Sequence, residues 1–208
     1  MLLDTFPVPP LGCNCSILAD PASLQAVIID PGGAEEKIVQ KVTSKGLKVV
    51  AILHTHTHFD HVGATAAVQA ATGAPARIHE ADLFLYDMLP VQVQLLGLRR
   101  APPRAELDAF LKDGEVVPLG ALSLAVLHTP GSVCFQLLGA DRPVVFTGDT
   151  LFAGSVGRTD LWGGDSDALL KSIRGRLLGL ADETLVVAGH EAASTIGRER
   201  RGNPFLVS

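Results

Sequence analysis

Between His54 and His61 the chain reads H-T-H-T-H-F-D-H, entered from the apolar segment Leu47-Lys48-Val49-Val50-Ala51-Ile52-Leu53 and left through Val62-Gly63. Few local sequences restrict a fold more. The apolar segment has the length and branched side chains of a buried strand, and the residues after Leu53 must turn at the strand's end. On an extended chain His56 and His58 point the same way, while Asp60 and His61 come around the bend, so four donor atoms converge from one turn. Imidazoles and a carboxylate gathered at a buried strand end are costly unless they hold a cation. Two histidines one residue apart suit one ion, and the adjacent Asp60–His61 pair suits another. Nitrogen and oxygen donors accept zinc, iron or manganese without any thiolate. His54 precedes the motif, directly after the apolar strand, and is expected to lie outside the ligand set.

A catalytic metal site keeps a coordination position for water, and its remaining ligands must come from elsewhere in the chain. Three later segments each end an apolar strand in a donor with glycine close by: Leu127-His128-Thr129-Pro130-Gly131-Ser132, Phe146-Thr147-Gly148-Asp149-Thr150 and Val187-Ala188-Gly189-His190-Glu191. Glycine lets the backbone turn sharply there and approach a bound group.

A chain of 208 residues, 47% hydrophobic and 19% charged, can bury a sizeable core, and one domain over residues 1–208 is expected. The formal net charge of −5, with no long basic run, argues against nucleic acid as a partner. No apolar span of about twenty residues and no signal-peptide start is present. We therefore expect a cytoplasmic protein, without a membrane partner, acting on a small molecule; the sequence carries no signal for oligomeric state. Cys13, Cys15 and Cys134 cannot all pair within one chain, and Cys-x-Cys spacing is poor for a bridge, so reduced, packed thiols are expected.

Periodicity predicts strands near 2–8, 16–19, 26–30, 47–53, 115–119, 123–127, 135–138, 144–146 and 185–188, with helices near 34–45, 64–71 and 166–178. This is an α/β order. His79 is expected to open a helix beside Glu80. The segment 88–106 is broken by Pro90, Gly97, Pro102 and Pro103, and mixes Leu95, Leu96 and Leu98 with Arg99, Arg100 and Arg104. It reads as an irregular loop, either a cover over an active site or an ordinary packed excursion.

The series T-H-x-H-x-D-H, with His, Asp and His at later strand ends, resembles the ligand series of the metallo-β-lactamase superfamily. The stretch G-D-T-L-F-A-G-S-V-G-R-T-D over 148–160 and the tail T-I-G-R-E-R-R-G-N-P-F-L over 195–206 resemble its glyoxalase II (hydroxyacylglutathione hydrolase) branch. With Asn14-Cys15 and Ile29-Asp30-Pro31-Gly32-Gly33, the resemblance spans essentially the whole chain. It implies a four-layer αββα sandwich. It also implies two divalent metal ions, with His56, His58 and His128 on one, Asp60, His61 and His190 on the other, and Asp149 bridging. Zinc is the expected metal, and iron or manganese also suit. Many relatives read P-G-H-T-P-G-S where this chain has Val126-Leu127 ahead of His128-Thr129-Pro130-Gly131-Ser132; in that alignment His128 still stands at the ligand position.

The activity so implied is that of a binuclear metal-dependent hydrolase, a thioesterase cleaving a small-molecule, glutathione-derived thioester of the S-D-lactoylglutathione type. Coordination lowers the pKa of water to roughly 7, which makes a metal-bound hydroxide available as nucleophile. Asp60 would ligate and also orient it, and the leaving thiolate needs little protonation. Arg158 matches a family position where a basic residue helps bind glutathione; a salt bridge to Asp160 or Asp165 is the competing role. Trp162 would line the pocket or cap the core. Longer glyoxalase II enzymes carry a helical C-terminal region that has no counterpart here. They also often place a tyrosine where Ala192 stands and a cysteine where Val156 stands, so a short form is expected. The alternative is a persulfide dioxygenase, which uses a single iron on the same scaffold, shares Gly157-Arg158-Thr159-Asp160, and would need only His56, His128 and Asp149.

Overall fold

The computed structural model describes residues 1–98, 100–160 and 165–207, which leaves Arg99 and Trp162 outside the description. The first half of the chain builds one six-stranded sheet in sequence order from β1 (Leu2–Val8), β2 (Cys13–Ala19), β3 (Gln25–Ile29), β4 (Lys48–Leu53), β5 (Ala76–His79) and β6 (Leu107–Leu111). The first three strands are antiparallel and the last four run parallel to one another. In the second half β7 (Val116–Leu119), β8 (Leu122–Thr129), β9 (Ser132–Leu138) and β10 (Val144–Gly148) pair in turn. β11 (Leu151–Phe152) and β12 (Ser155–Val156) form a separate ribbon, and β13 (Leu185–Ala188) and β14 (Ser194–Thr195) extend the second sheet beyond β10. The helices are α1 (Glu35–Ser44), α2 (Phe59–Val62), α3 (Thr65–Thr72), α4 (Leu83–Asp87), α5 (Leu89–Leu95), α6 (Ser166–Ser172), which runs on into a π-helical stretch Ile173–Leu177, and α7 (Ile196–Gly202).

Strand parity explains the four layers. Along β2 and β3, Cys13, Cys15, Ile17, Ala26 and Ile28 pack with Ile38 and Val42 of α1 and Val68 of α3. The alternate residues Leu18, Val27 and Ile29 face the other way, against Leu124, Val126, Phe135 and Phe146 of the second sheet. On that sheet's far face Cys134, Val145 and Val186 meet Leu169, Ile173 and Ile196. Both faces of both sheets are therefore apolar, which is why the inner strands read as continuous hydrophobic runs. The result is the expected αββα sandwich. All three cysteines are free and buried within it.

His79 opens a helix as expected: it ends β5, and its Nδ1 accepts the Ala81 amide at 3.2 Å to cap the 3₁₀ turn Glu80–Asp82 that leads into α4. Two expectations need correction. The segment 88–106 contains α5, which accommodates Pro90 in its first turn, where a missing amide proton costs nothing. Strands β5 and β6 have no counterpart in the periodicity: each is short, and they are strands because they extend a parallel sheet. Among the described residues no helix is long and apolar enough to cross a membrane.

The tail that resembles glyoxalase II has a structural task. Buried Glu199 of α7 accepts the Gly154 amide and the Asn203 side-chain amide, each at 2.8 Å, as well as the Ser194 hydroxyl. Asn203 also donates to the Ser155 carbonyl at 3.0 Å. The loop between β11 and β12 is thus clasped to the last helix.

Candidate metal centre

Strands β4, β10 and β13 all finish at the same edge of the sandwich, and each delivers donors there. Two groups of ligand atoms converge: His56, His58 and Asp149 form one, and Asp60, His61 and His190 the other, each with its donor atoms within 4.8 Å of one another. In the first, His56 Nε2 lies 2.8 Å from His58 Nδ1 and 3.7 Å from Asp149 Oδ2. In the second, His190 Nε2 lies 3.3 Å from His61 Nε2 and 3.2 Å from Asp60 Oδ2. Asp149 belongs to both sides, because its other oxygen, Oδ1, stands 3.6 Å from His61 Nε2 and 3.9 Å from His190 Nε2.

The neighbouring backbone is shaped to permit this. A Cβ at Gly189 would fall 2.2 Å from Asp149 Oδ1 and 2.8 Å from the His61 ring, and one at Gly32 would fall 1.5 Å from the Asp60 carbonyl oxygen. Only glycine fits such approaches. Asp30, which lies outside the expected ligand set, holds a left-handed conformation with φ 52°. Its buried carboxylate accepts the Thr55 amide at 2.8 Å and the Thr55 hydroxyl at 2.6 Å, and lies 3.1 Å from His61 Nδ1. That contact fixes which His61 nitrogen faces inward, the supporting arrangement typical of ligating histidines. Asn14 steadies the other side by donating to the carbonyls of Ala188 and Glu191 at 3.0 and 2.9 Å. The signal for Asp30 is present in Asp30-Pro31-Gly32-Gly33 at the end of an apolar strand, where a buried carboxylate requires partners.

The donor set fits divalent cations. Asp149 Oδ1 is buried without any hydrogen-bond partner although histidine nitrogens face it, an arrangement a positive charge would complete. Burial holds the His56 and His58 imidazoles below their ordinary range, so both are neutral and offer lone pairs. Burial pushes the Asp149 carboxyl up. The Asp60 carboxyl is also buried, which acts to raise it, yet the hydrogen bond from His190 and the neighbouring His61 hold it down; the same bond raises His190.

His128 is not where the resemblance put it. It joins neither group of donors. Strand β8 continues through Thr129 and returns at Ser132, leaving only Pro130-Gly131 for the turn, so His128 sits in ladder register opposite Val133. Pro-Gly ahead of the histidine would have ended the strand and thrown the residue into a loop; Val126-Leu127 prolong it instead. The ring stacks on His79, with centroids 4.4 Å apart and planes at 24°. His128 does line the same cavity as His56, His58 and Asp149, a cleft of about 370 Å³ with Phe84, Leu85 and Leu169 among its apolar walls. Arg158 stands at its exposed rim, paired with Asp160 at 2.8 and 3.0 Å. Buried Asp82, also unforeseen, lies in the wall, and burial and the Asp30 charge push its carboxyl up to about 7. His54 stays out of the groups as expected, with Nε2 3.2 Å from the Thr65 hydroxyl.

An αββα sandwich with paired His/Asp donor groups at one edge defines a class of metal-binding enzyme folds. The sequence model for the "Metallo-beta-lactamase superfamily" matches residues 8–190, and the chain belongs to that superfamily. It is 39% identical to hydroxyacylglutathione hydrolase GloC of Haemophilus influenzae, covering 100% of this chain and 99% of that protein. Among solved structures, BLEG-1 B3 metallo-β-lactamase superposes with a TM-score of 0.91 at 35% identity, each chain covered completely. TTHA1623 in a di-iron-bound form gives 0.85 at 39% identity, covering 98% of this chain and 100% of that one. ETHE1 from Myxococcus xanthus gives 0.78 at 27%, covering 98% and 84%.

Proposed function

We propose that this chain is a metal-dependent hydrolase of small-molecule thioesters, of the S-D-lactoylglutathione type. The observation that carries the reading is the Asp149 carboxylate, one oxygen turned toward His56 and the other toward His61 and His190. Similarity over the full length to a hydroxyacylglutathione hydrolase supports the substrate class. His56, His58 and Asp149 would hold one divalent cation, and Asp60, His61 and His190 a second, with Asp149 shared; zinc is the first candidate, and similarity to a di-iron protein makes iron the next. When bound, such cations polarise the carbonyl and acidify water to near neutral pH, so no serine or cysteine nucleophile is required.

The chain's own groups do the rest. Asp149 fixes the spacing between the two donor groups, and Asp30 fixes the His61 tautomer. Asp60, kept ionised beside His190, orients the attacking water as well as ligating. Phe84, Leu85 and Leu169 exclude water from one flank of the cleft, and Arg158 at the rim offers a cation to a substrate carboxylate in exchange for Asp160. The leaving thiol, with a pKa of roughly 8.5, departs without a dedicated acid.

The test is metal analysis, S-D-lactoylglutathione turnover and oxygen uptake on glutathione persulfide from one preparation. About two metals per chain with thioester hydrolysis is expected, and Asp149→Ala should lower metal content and cut turnover by orders of magnitude. Near-native turnover in that variant would sink the reading. The second reading, a mononuclear iron dioxygenase, draws on the two-histidine, one-carboxylate make-up of the His56–His58–Asp149 group and on the ETHE1 similarity. One iron with oxygen uptake would favour it.

A further inference from the structure

We infer that His128, laid flat against His79, is a substrate-facing wall of the cleft and not a metal ligand, so that the group formed by His56, His58 and Asp149 takes its cation with two imidazoles and one carboxylate only. The inference rests on the metal-dependent reading of the site and departs from the ligand set that resemblance alone assigns.

Three observations hold His128 in place. Its backbone is locked: the His128 amide donates to Asp113 Oδ1 at 2.9 Å, and Arg176 clamps the same carboxylate at 2.7 and 2.8 Å. The hairpin around it is locked as well. The Val133 amide donates to the Thr55 carbonyl at 2.7 Å, beside the ligand run, and buried Thr129 meets the Thr150 hydroxyl at 2.9 Å. A strand so tied cannot swing its backbone across to the donor groups without breaking its register. The ring, finally, has a partner already. His79 is fixed through its Nδ1, and the two imidazoles stack at 4.4 Å.

Strand parity shows where the ring points. Leu122, Leu124 and Val126 face between the sheets, and His128 has the same parity at the end where the sandwich opens on the cleft. Among the described residues its ring nitrogens make no hydrogen bond to the protein, which leaves an N–H edge for a substrate carbonyl or carboxylate. The loss of a third imidazole does not empty the first group of function. Three protein ligands with a position left for water is the ordinary catalytic arrangement for zinc.

The experiment compares wild type with His128→Ala, His79→Ala and His58→Ala after loading with Zn²⁺ and dialysis. It measures metal equivalents per chain, Zn²⁺ affinity by chelator competition, and KM and kcat on S-D-lactoylglutathione. We expect His128→Ala and His79→Ala to retain every metal equivalent with affinity within about threefold of wild type, and to share a rise in KM of about tenfold with kcat little changed. His58→Ala should lose one equivalent. If His128→Ala loses an equivalent or binds Zn²⁺ more than tenfold weaker while His79→Ala does not, His128 is a ligand and the inference fails. Unchanged metal binding and unchanged KM in both would remove the wall. Should wild type bind metal yet leave the thioester intact, the proposed substrate falls while the metal arm still decides whether His128 ligates. His79→Ala also controls for folding, since it disturbs the stack from a residue no reading places among the ligands.

Discussion

The two donor groups differ in how they are braced. Asp60, His61 and His190 are backed by Asp30 on His61, by Asn14 behind the His190 loop, and by Gly32 and Gly189, which admit the backbone at distances no side chain would allow. Asp60 and His61 are buried. His56, His58 and Asp149 instead open on the cleft, and their neighbours there are Phe84, Leu85, His128 and the Arg158 rim. The fold thus places more of its supports directly behind the deep group; the shallow one opens on the cleft, with buried His56 its one braced member, its Nδ1 3.1 Å from the Thr55 hydroxyl that Asp30 holds. This is a division of labour between holding a cation and presenting one.

That contrast can be broken from the deep side. Gly189→Ala places a methyl against Asp149 Oδ1 and the His61 ring. We expect loss of at least one metal equivalent, turnover down by orders of magnitude, and a stability loss of about 1–3 kcal/mol by urea denaturation. Retention of both metals would mean the glycine is not needed for the approach. Asp30→Asn is a finer cut. It weakens the acceptor that orients His61 directly and reaches His56 only through Thr55, so metal affinity at the deep group should fall about 10–100-fold by competition titration and that at the shallow group by clearly less. An equal fall at both groups would show that they share their bracing.

The smallest expected effect is on the cleft wall. Asp82 keeps its proton to about pH 7 when folded, whereas an unfolded carboxyl releases it near ~3.9. Between those values the folded chain binds the extra proton, so stability falls as pH rises through the window. Asp82→Asn should therefore stabilise chelator-treated protein at pH 8 and leave it unchanged at pH 4. No gain at pH 8 would point to a partner that stabilises the carboxylate.

Legibility in the sequence tracks the range of the interaction. The gathering of donors at 56–61 can be read directly because strand, turn and donors are contiguous, and β1, β4 and β13 lie within a residue of their predicted limits because branched residues mark them. Strands β5 and β6 cannot be read, since four or five residues of Ala-Arg-Ile-His or Leu-Asp-Ala-Phe-Leu become strands only when a neighbouring edge accepts them. Asp30 and Glu199 are visible as residues but not as tasks, because their partners lie at Thr55, His61 and Gly154, remote in the chain. His128 shows a different limit. Its letter matches the family position, while the two residues ahead of it bear on whether the chain turns before or after the histidine, and here the strand continues past it.

The Glu199 clasp carries a consequence for how such an enzyme can diverge. Through Glu199 and Asn203 the last helix grips Gly154 and Ser155, and Arg158 comes only a few residues later. Substitutions in the tail thereby reach the mouth of the cleft while every donor residue stays untouched. With Arg158 as the proposed substrate contact, the last helix would be a tuning peg for the rim of the cleft, set apart from the donor residues.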